Sequence, residues 1–230
     1  GITRETRDPD GGAIDRDQYG DPTGVLRESA QDLAYVHVPE PGMDTLEETT
    51  RDAMKYLLAR GTTSVHTNDG YGGYSGVAGT YRQAHEAGIP LRIYWDLPVG
   101  DLDEVVATPL RTGDGDDYFR IGAVKMFADG SLGGRTAALE EPYSDDPSTS
   151  GILVTSEATL KDLVYRSHCL GMQVAVHAIG DRAARIGLEA INDAQSRLPR
   201  TPLRHRIVHA QISSPHLISE MKRVGVVADV

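Results

Sequence analysis

Cysteine and lysine are scarce in this 230-residue chain, and each scarcity excludes something. A single cysteine, Cys169, rules out an internal disulfide and fits a reducing compartment, so a cytoplasmic location is expected. Four lysines (Lys55, Lys125, Lys161 and Lys222) stand against nineteen arginines, and aspartate well outnumbers glutamate. The formal net charge of −11 argues against a nucleic-acid partner, which would meet a basic face. An acidic, Lys-poor surface is expected of a halophilic organism; the plainer alternative is an acidic protein from a GC-rich genome. No apolar run approaches the ~18 residues that span a bilayer, so no membrane partner is expected. The opening Gly1-Ile2-Thr3-Arg4-Glu5 has neither an initiator Met nor an apolar signal core, and reads as the start of a processed or excised segment.

What is present is ordinary for a globular domain, with 39% hydrophobic and 25% charged residues. Residues 1–43 read as a loop-rich N-terminal segment. Asp8-Pro9-Asp10-Gly11-Gly12 and Tyr19-Gly20-Asp21-Pro22-Thr23-Gly24 are turn chemistry. From Asp44 to about Arg60, Leu46, Met54, Leu57 and Leu58 supply an apolar helical stripe that Gly61 would end. Short apolar runs then predict strands at Thr62–His66, Leu91–Leu97, Arg120–Phe127, Gln173–His177, Arg206–His209 and Val224–Val230. Helical stretches at Gly79–Glu86, Leu102–Leu110, Glu157–Cys169, Asp181–Leu198 and Pro215–Arg223 separate most of them. Such alternation predicts an α/β fold with a parallel sheet. Six strands fall two short of a closed eight-stranded barrel. The expected architecture is a partial (β/α)8 TIM-type barrel over residues 44–230. A doubly wound dinucleotide fold is disfavoured, because the turn from Thr67 to Gly73 has glycines without the fingerprint spacing.

Three strand ends carry chemistry, since barrel enzymes build their sites at C-terminal strand ends. Lys125 lies inside the apolar run Ile121–Phe127, where a bare ammonium is costly to desolvate. It is either an edge or Asp129-paired lysine, or a site residue facing a polar barrel mouth, with carbamylation as one form. His177 closes Val174-Ala175-Val176 and His209 closes Arg206-Ile207-Val208. Either histidine alone could be structural. Two in equivalent positions on successive parallel strands would lie side by side, and imidazole is the commonest metal ligand. His66 ends the first strand of the series and is a possible pocket residue. The loop Asp129–Arg135 leaves a strand above the same mouth, so Asp129, Ser131 and Arg135 are candidate substrate contacts; the alternative is plain turn chemistry.

Several stretches together resemble one family. They are Lys125-Met126-Phe127-Ala128-Asp129-Gly130-Ser131-Leu132-Gly133-Gly134-Arg135-Thr136-Ala137-Ala138-Leu139, Val176-His177-Ala178-Ile179-Gly180-Asp181-Arg182-Ala183 and Arg206-Ile207-Val208-His209-Ala210-Gln211. With Pro22-Thr23-Gly24-Val25-Leu26-Arg27-Glu28 and Gly61-Thr62-Thr63-Ser64-Val65-His66 upstream, the chain resembles amidohydrolase family 3, in the branch that includes N-substituted formamide deformylase. The resemblance implies a zinc-type hydrolase that cleaves a non-peptide, amide-like carbon–nitrogen bond of a small molecule by metal-activated hydroxide. It implies one or two divalent metal ions held by a carbamylated Lys125 from strand four, His177 from strand five and His209 from strand six. Departures from the family pattern are also expected to matter. No His-x-His pair stands near the start, and the chain ends at Ala228-Asp229-Val230, in strand seven, before the family's catalytic Asp. Val208 stands where the family often carries Glu. A segment covering strands two to seven is expected to bind zinc weakly and to self-associate through open sheet edges. The competing readings are a catalytically silent fragment and a non-catalytic small-molecule-binding module.

Overall fold

The computed structural model describes residues 1–68 and 73–230. The glycine-bearing turn after His66 therefore lies partly outside the described residues. Two compact units are present. One comprises Gly1–Pro39, Phe127–Tyr165 and Val176–Val230; the other comprises Glu40–Met126 and Arg166–Ala175. Described strands and helices alternate as the sequence predicts. The strands after the N-terminal segment, β3 to β8, follow one another in sheet order as they do in sequence. The pairs β3–β4, β4–β5 and β7–β8 are parallel. Sequential order is that of a (β/α)8 barrel; a doubly wound sheet reverses direction at a switch point, and this one does not. The fold is α/β, a partial (β/α)8 TIM-type barrel.

The first unit opens with a hairpin of β1 (Gly12–Arg16) and β2 (Pro22–Glu28), paired antiparallel so that Gly12 faces Glu28 and Ala13 faces Arg27. From local sequence alone this stretch reads as turn chemistry. Polar residues hide the strand pattern: Asp15 and Arg27 answer each other across the ladder as an ion pair, while Ile14 alone is buried. A single 3-10 turn, Ser29–Gln31, and the short helix α1 (Asp32–Tyr35) follow.

In the second unit, α2 (Met43–Leu58) buries Met54, and Gly61 ends it at φ +83°, donating its N–H to Leu58 O at 2.9 Å. A left-handed glycine is the usual helix stop. Strand β3 (Ser64–Thr67) lies beside β4 (Arg92–Pro98), which lies beside β5 (Phe119–Phe127). Helix α3 (Gly73–Glu86) starts six residues before the predicted Gly79. Its start is stabilised from a distance, because the Glu104 carboxylate accepts the Tyr74 N–H at 2.8 Å, which local sequence could not announce. A further 3-10 turn, Val99–Asp101, leads into α4 (Leu102–Ala107), which ends short of Leu110. Between Trp95 and Leu97 the β4–β5 register slips, and Asp96 fills the gap by accepting the Ala123 N–H at 2.8 Å. Beyond the slip, Pro98 stands opposite Lys125.

The remaining elements are α5 (Glu157–Cys169), β6 (Val174–Ala178), α6 (Asp181–Arg197), β7 (Arg206–His209), α7 (Pro215–Val224) and β8 (Val227–Asp229). Within the first unit, α6 buries an alanine-rich face with Ile186 and Ile191. Gly187 brings that helix close to the strands, where an added Cβ would stand 3.0 Å from Ile207 and 3.3 Å from Val176. Ser214 caps α7 by accepting the Leu217 N–H, Pro215 occupies its first turn, and Gly225 closes it at φ +77°. That stop shortens the last strand to Val227–Asp229, against the predicted Val224–Val230.

Candidate active site

Both histidines singled out at strand ends belong to the first unit. His177 is the fourth residue of β6 and is buried; His209 is the last of β7 and is exposed. Their rings meet edge to face, with centroids 4.6 Å apart and planes at 77°. Equivalent positions on successive βα units produce this pairing, as the spacing predicts.

His209 and Ala210 both hold left-handed backbone, at φ +74° and +43°. For residues with a Cβ this costs roughly 1–2 kcal/mol each. Strain of this kind at a strand end is characteristic of functional sites, where the packing of the fold holds it in place. Here the chain turns abruptly off β7, and Ala210 O accepts the Ser213 hydroxyl at 2.6 Å.

His177 Nε2 lies 2.9 Å from the carbonyl oxygen of Gly130. A carbonyl can only accept, so Nε2 carries a proton, and in the neutral ring the lone pair sits on Nδ1. That tautomer is the one in which Nδ1 can ligate a metal while the other nitrogen is anchored.

Asp129 organises the backbone around this pair. It has no exposed surface, and its carboxylate accepts Ile179 N–H at 3.0 Å, Gly180 N–H at 2.8 Å and Ala138 N–H at 2.8 Å. One oxygen also stands 3.6 Å from His177 Nε2. Burial pushes the Asp129 carboxyl above its ordinary range, against the pull of the three amide donors. Expected as a substrate contact, Asp129 is instead enclosed, with both oxygens committed to backbone. It ties the loop after β5 to the turn between β6 and α6. Gly180 allows the close approach: a Cβ there would stand 1.9 Å from Ala138 O.

The other expected site residues are placed as follows. Lys125 is buried on β5 in the second unit, at 8% exposure. Its neighbours along the strand, Val124 and Met126, are also buried. Ser131 is exposed, and its hydroxyl accepts Gly134 N–H at 3.2 Å, which is turn chemistry. Arg135 is exposed at φ +51° and pairs with Asp145 at 2.8 Å. His66 stacks on Tyr94 with centroids 4.7 Å apart. It lines a cavity of about 360 Å³ in the second unit with Met54, Leu57, Val65, Tyr81 and Leu91.

Sequence reasoning missed Glu28 and Thr136. Glu28 ends β2 at φ +48°, and its carboxylate accepts the hydroxyl of the buried Thr136. Arg27 beside it donates to Gly134 O. The hairpin thus clamps the Asp129–Thr136 loop. The stretch from Pro22 to Glu28 was one of those carrying the family resemblance, but nothing local gave those residues a role.

Among the described residues, no three His, Cys, Asp or Glu side chains form a metal-holding group. Within the first unit the donor chemistry nevertheless suits a divalent metal ion: two adjacent imidazoles, one of them anchored through its Nε2 on Gly130 O.

Known proteins resemble this chain over most or all of its length. The protein described as "Putative amidohydrolase YtcJ" of Bacillus subtilis (strain 168) is 39% identical over the whole chain, which covers 43% of that protein. N-substituted formamide deformylase of Arthrobacter pascens is 28% identical over 98% of the chain and 43% of its own length. An uncharacterized metal-dependent hydrolase from Pyrococcus furiosus superposes at a TM-score of 0.74 with 30% identity, covering 94% of this chain and 44% of that one. The chain thus spans less than half the length of the relatives it matches. A family model described as the amidohydrolase family matches residues 1–230, and the chain belongs to that family.

Proposed function

We propose that this chain is part of a hydrolase that cleaves a non-peptide carbon–nitrogen bond in a small, amide-like substrate. The observation that carries the reading is the pair His177 and His209, 4.6 Å apart at successive strand ends, with His177 Nε2 anchored on Gly130 O. The name of the Arthrobacter pascens relative supports the bond type, since a deformylase of N-substituted formamides acts on an amide-like bond.

His177, through Nδ1, and His209 would hold the metal, with Lys125 as a carbamate donor. When bound, a zinc-type ion would polarise a carbonyl and lower the pKa of its water to about 7, giving a nucleophile at neutral pH. The chain's own contribution is orientation. Gly130 O holds the His177 proton, and Asp129 holds the loop that presents Gly130. Arg135 and Ser131 stand exposed on that loop, within reach of solvent-borne ligands.

Zinc titration of the chain and of its H177A, H209A and K125A variants tests the reading. Each variant should weaken zinc binding. Unchanged binding in H177A or H209A would remove the metal assignment and leave a catalytically silent fragment or a non-catalytic small-molecule-binding module.

A further inference from the structure

His177 is not oriented by Gly130 alone. Gly130 C=O and Ser131 N–H belong to one planar trans peptide and point in opposite directions. The N–H end is pinned to Thr136 Oγ1 at 2.9 Å, and the C=O end meets His177 Nε2 at 2.9 Å. Fixing one end therefore aims the other. Thr136 can accept from Ser131 because its own hydroxyl proton is directed to the Glu28 carboxylate. A threonine hydroxyl has one proton, so this bond decides which way its lone pairs face.

Two features argue that the contact is built. Glu28 reaches it from left-handed backbone, φ +48° and ψ −128°, a conformation that a residue with a Cβ rarely adopts. Gly130 is also packed directly beneath it: a Cβ at Gly130 would lie 2.0 Å from Glu28 Oε1 and 2.2 Å from Thr136 Oγ1. The loop passes close to the Glu28–Thr136 pair only because residue 130 has no side chain.

We propose that Glu28 is a positioning residue for His177, acting through Thr136 and the Gly130–Ser131 peptide to keep the imidazole in its Nε2–H tautomer. The tautomer control stands on geometry within the first unit. Its consequence for metal binding rests on the reading of His177 as a ligand.

The test is nitrogen-15 spectroscopy of the histidine side chains at about pH 8, above the ordinary imidazole range, with His177 identified by signal loss in H177Q. The wild-type chain should show His177 protonated on Nε2. E28A and T136V should move proton population toward Nδ1, whereas E28Q and T136S keep an acceptor and a hydroxyl and should hold the wild-type spectrum. R27A cuts the neighbouring tether to Gly134 without touching the relay, and should also hold it. An unchanged His177 tautomer in folded E28A and T136V, or an equal change in R27A, would overturn the proposal. If circular dichroism shows either truncation unfolded, E28D, one methylene too short to reach Thr136, takes its place, and an unchanged spectrum there overturns it equally. Zinc titration separates this idea from the functional reading. Loss of a direct outer partner to a ligating histidine costs roughly 10–100-fold in affinity, so E28A, which acts on that partner at one remove, should lower affinity by at most about that factor. Tautomer control in a wild-type chain that binds no zinc would sink the metal reading and leave the relay standing. Zinc binding that needs His177 but ignores E28A would do the reverse.

Discussion

The carboxylate of Asp129 accepts three backbone N–H groups, from Ala138, Ile179 and Gly180, and the last of these stands next to a carbonyl that leaves no room for a side chain. Asp129 and Gly180 are thus two halves of one joint between the loop after β5 and the start of α6. The joint sets the height at which Gly130 meets His177.

Replacing Asp129 by Ala should strand three buried amide donors. Each costs about 1–3 kcal/mol when left without a partner, so D129A should lose at least about 3 kcal/mol of stability. Asparagine keeps one acceptor oxygen and turns an NH2 toward the remaining donors, so D129N should fall between. Urea denaturation measures this, and a loss under about 1 kcal/mol for D129A would mean that the joint carries little.

Gly180→Ala probes the other half. Its backbone is ordinary extended chain at φ −73° and ψ 152°, so the penalty comes from space and not from strain. A Cβ 1.9 Å from Ala138 O must push backbone aside, and overpacking typically costs about 1–3 kcal/mol. G180A should destabilise the chain within that range and alter the His177 signals. A neutral G180A would show that the loop yields freely.

Acid sensitivity should have a local source at Asp116, whose carboxylate accepts Tyr118 N–H at 2.8 Å and Phe119 N–H at 2.9 Å on the same oxygen. The Phe119 and then the Tyr118 hydrogen bond hold its pKa below the ordinary value. A depressed folded pKa gives stability that is present above the unfolded value, about 3.9, and is lost as pH falls through the folded one. Asparagine can accept both bonds at any pH. D116N should therefore remain close to wild type at neutral pH and flatten the acid limb of the stability curve. A D116N limb as steep as wild type would place the acid sensitivity elsewhere.

Sheet edges give a prediction about assembly. β3 and β8 are the terminal strands in the order of the sheet, and unpaired edge groups recruit other chains. We propose that the 230-residue chain self-associates through them, and that proline replacing Val65 on β3 lowers the associated fraction. Sedimentation velocity would show it; a monodisperse monomer across a tenfold concentration range would refute it.

The sequence alone determined the βα alternation, because hydrophobic runs, helical stripes and glycine stops are local signals. Gly61 ends α2 and the β7 limits fall at Arg206 and His209, as read from residues next to one another. His177 and His209 were equally legible, since strand-end positions on successive units fix where side chains emerge. Interactions between distant residues were not. Nothing around Gly73 announces that Glu104 will stabilise the start of α3, and nothing in Asp129-Gly130-Ser131 announces that its aspartate will be sealed against backbone amides. The hairpin hid because its strands carry little apolar pattern: only Ile14 is buried, and Asp15 pairs with Arg27 across the ladder. Glu28 and Thr136, 108 residues apart, became partners only through the fold. A hydrogen bond depends on distance and direction in space, and for such pairs only tertiary structure supplies either.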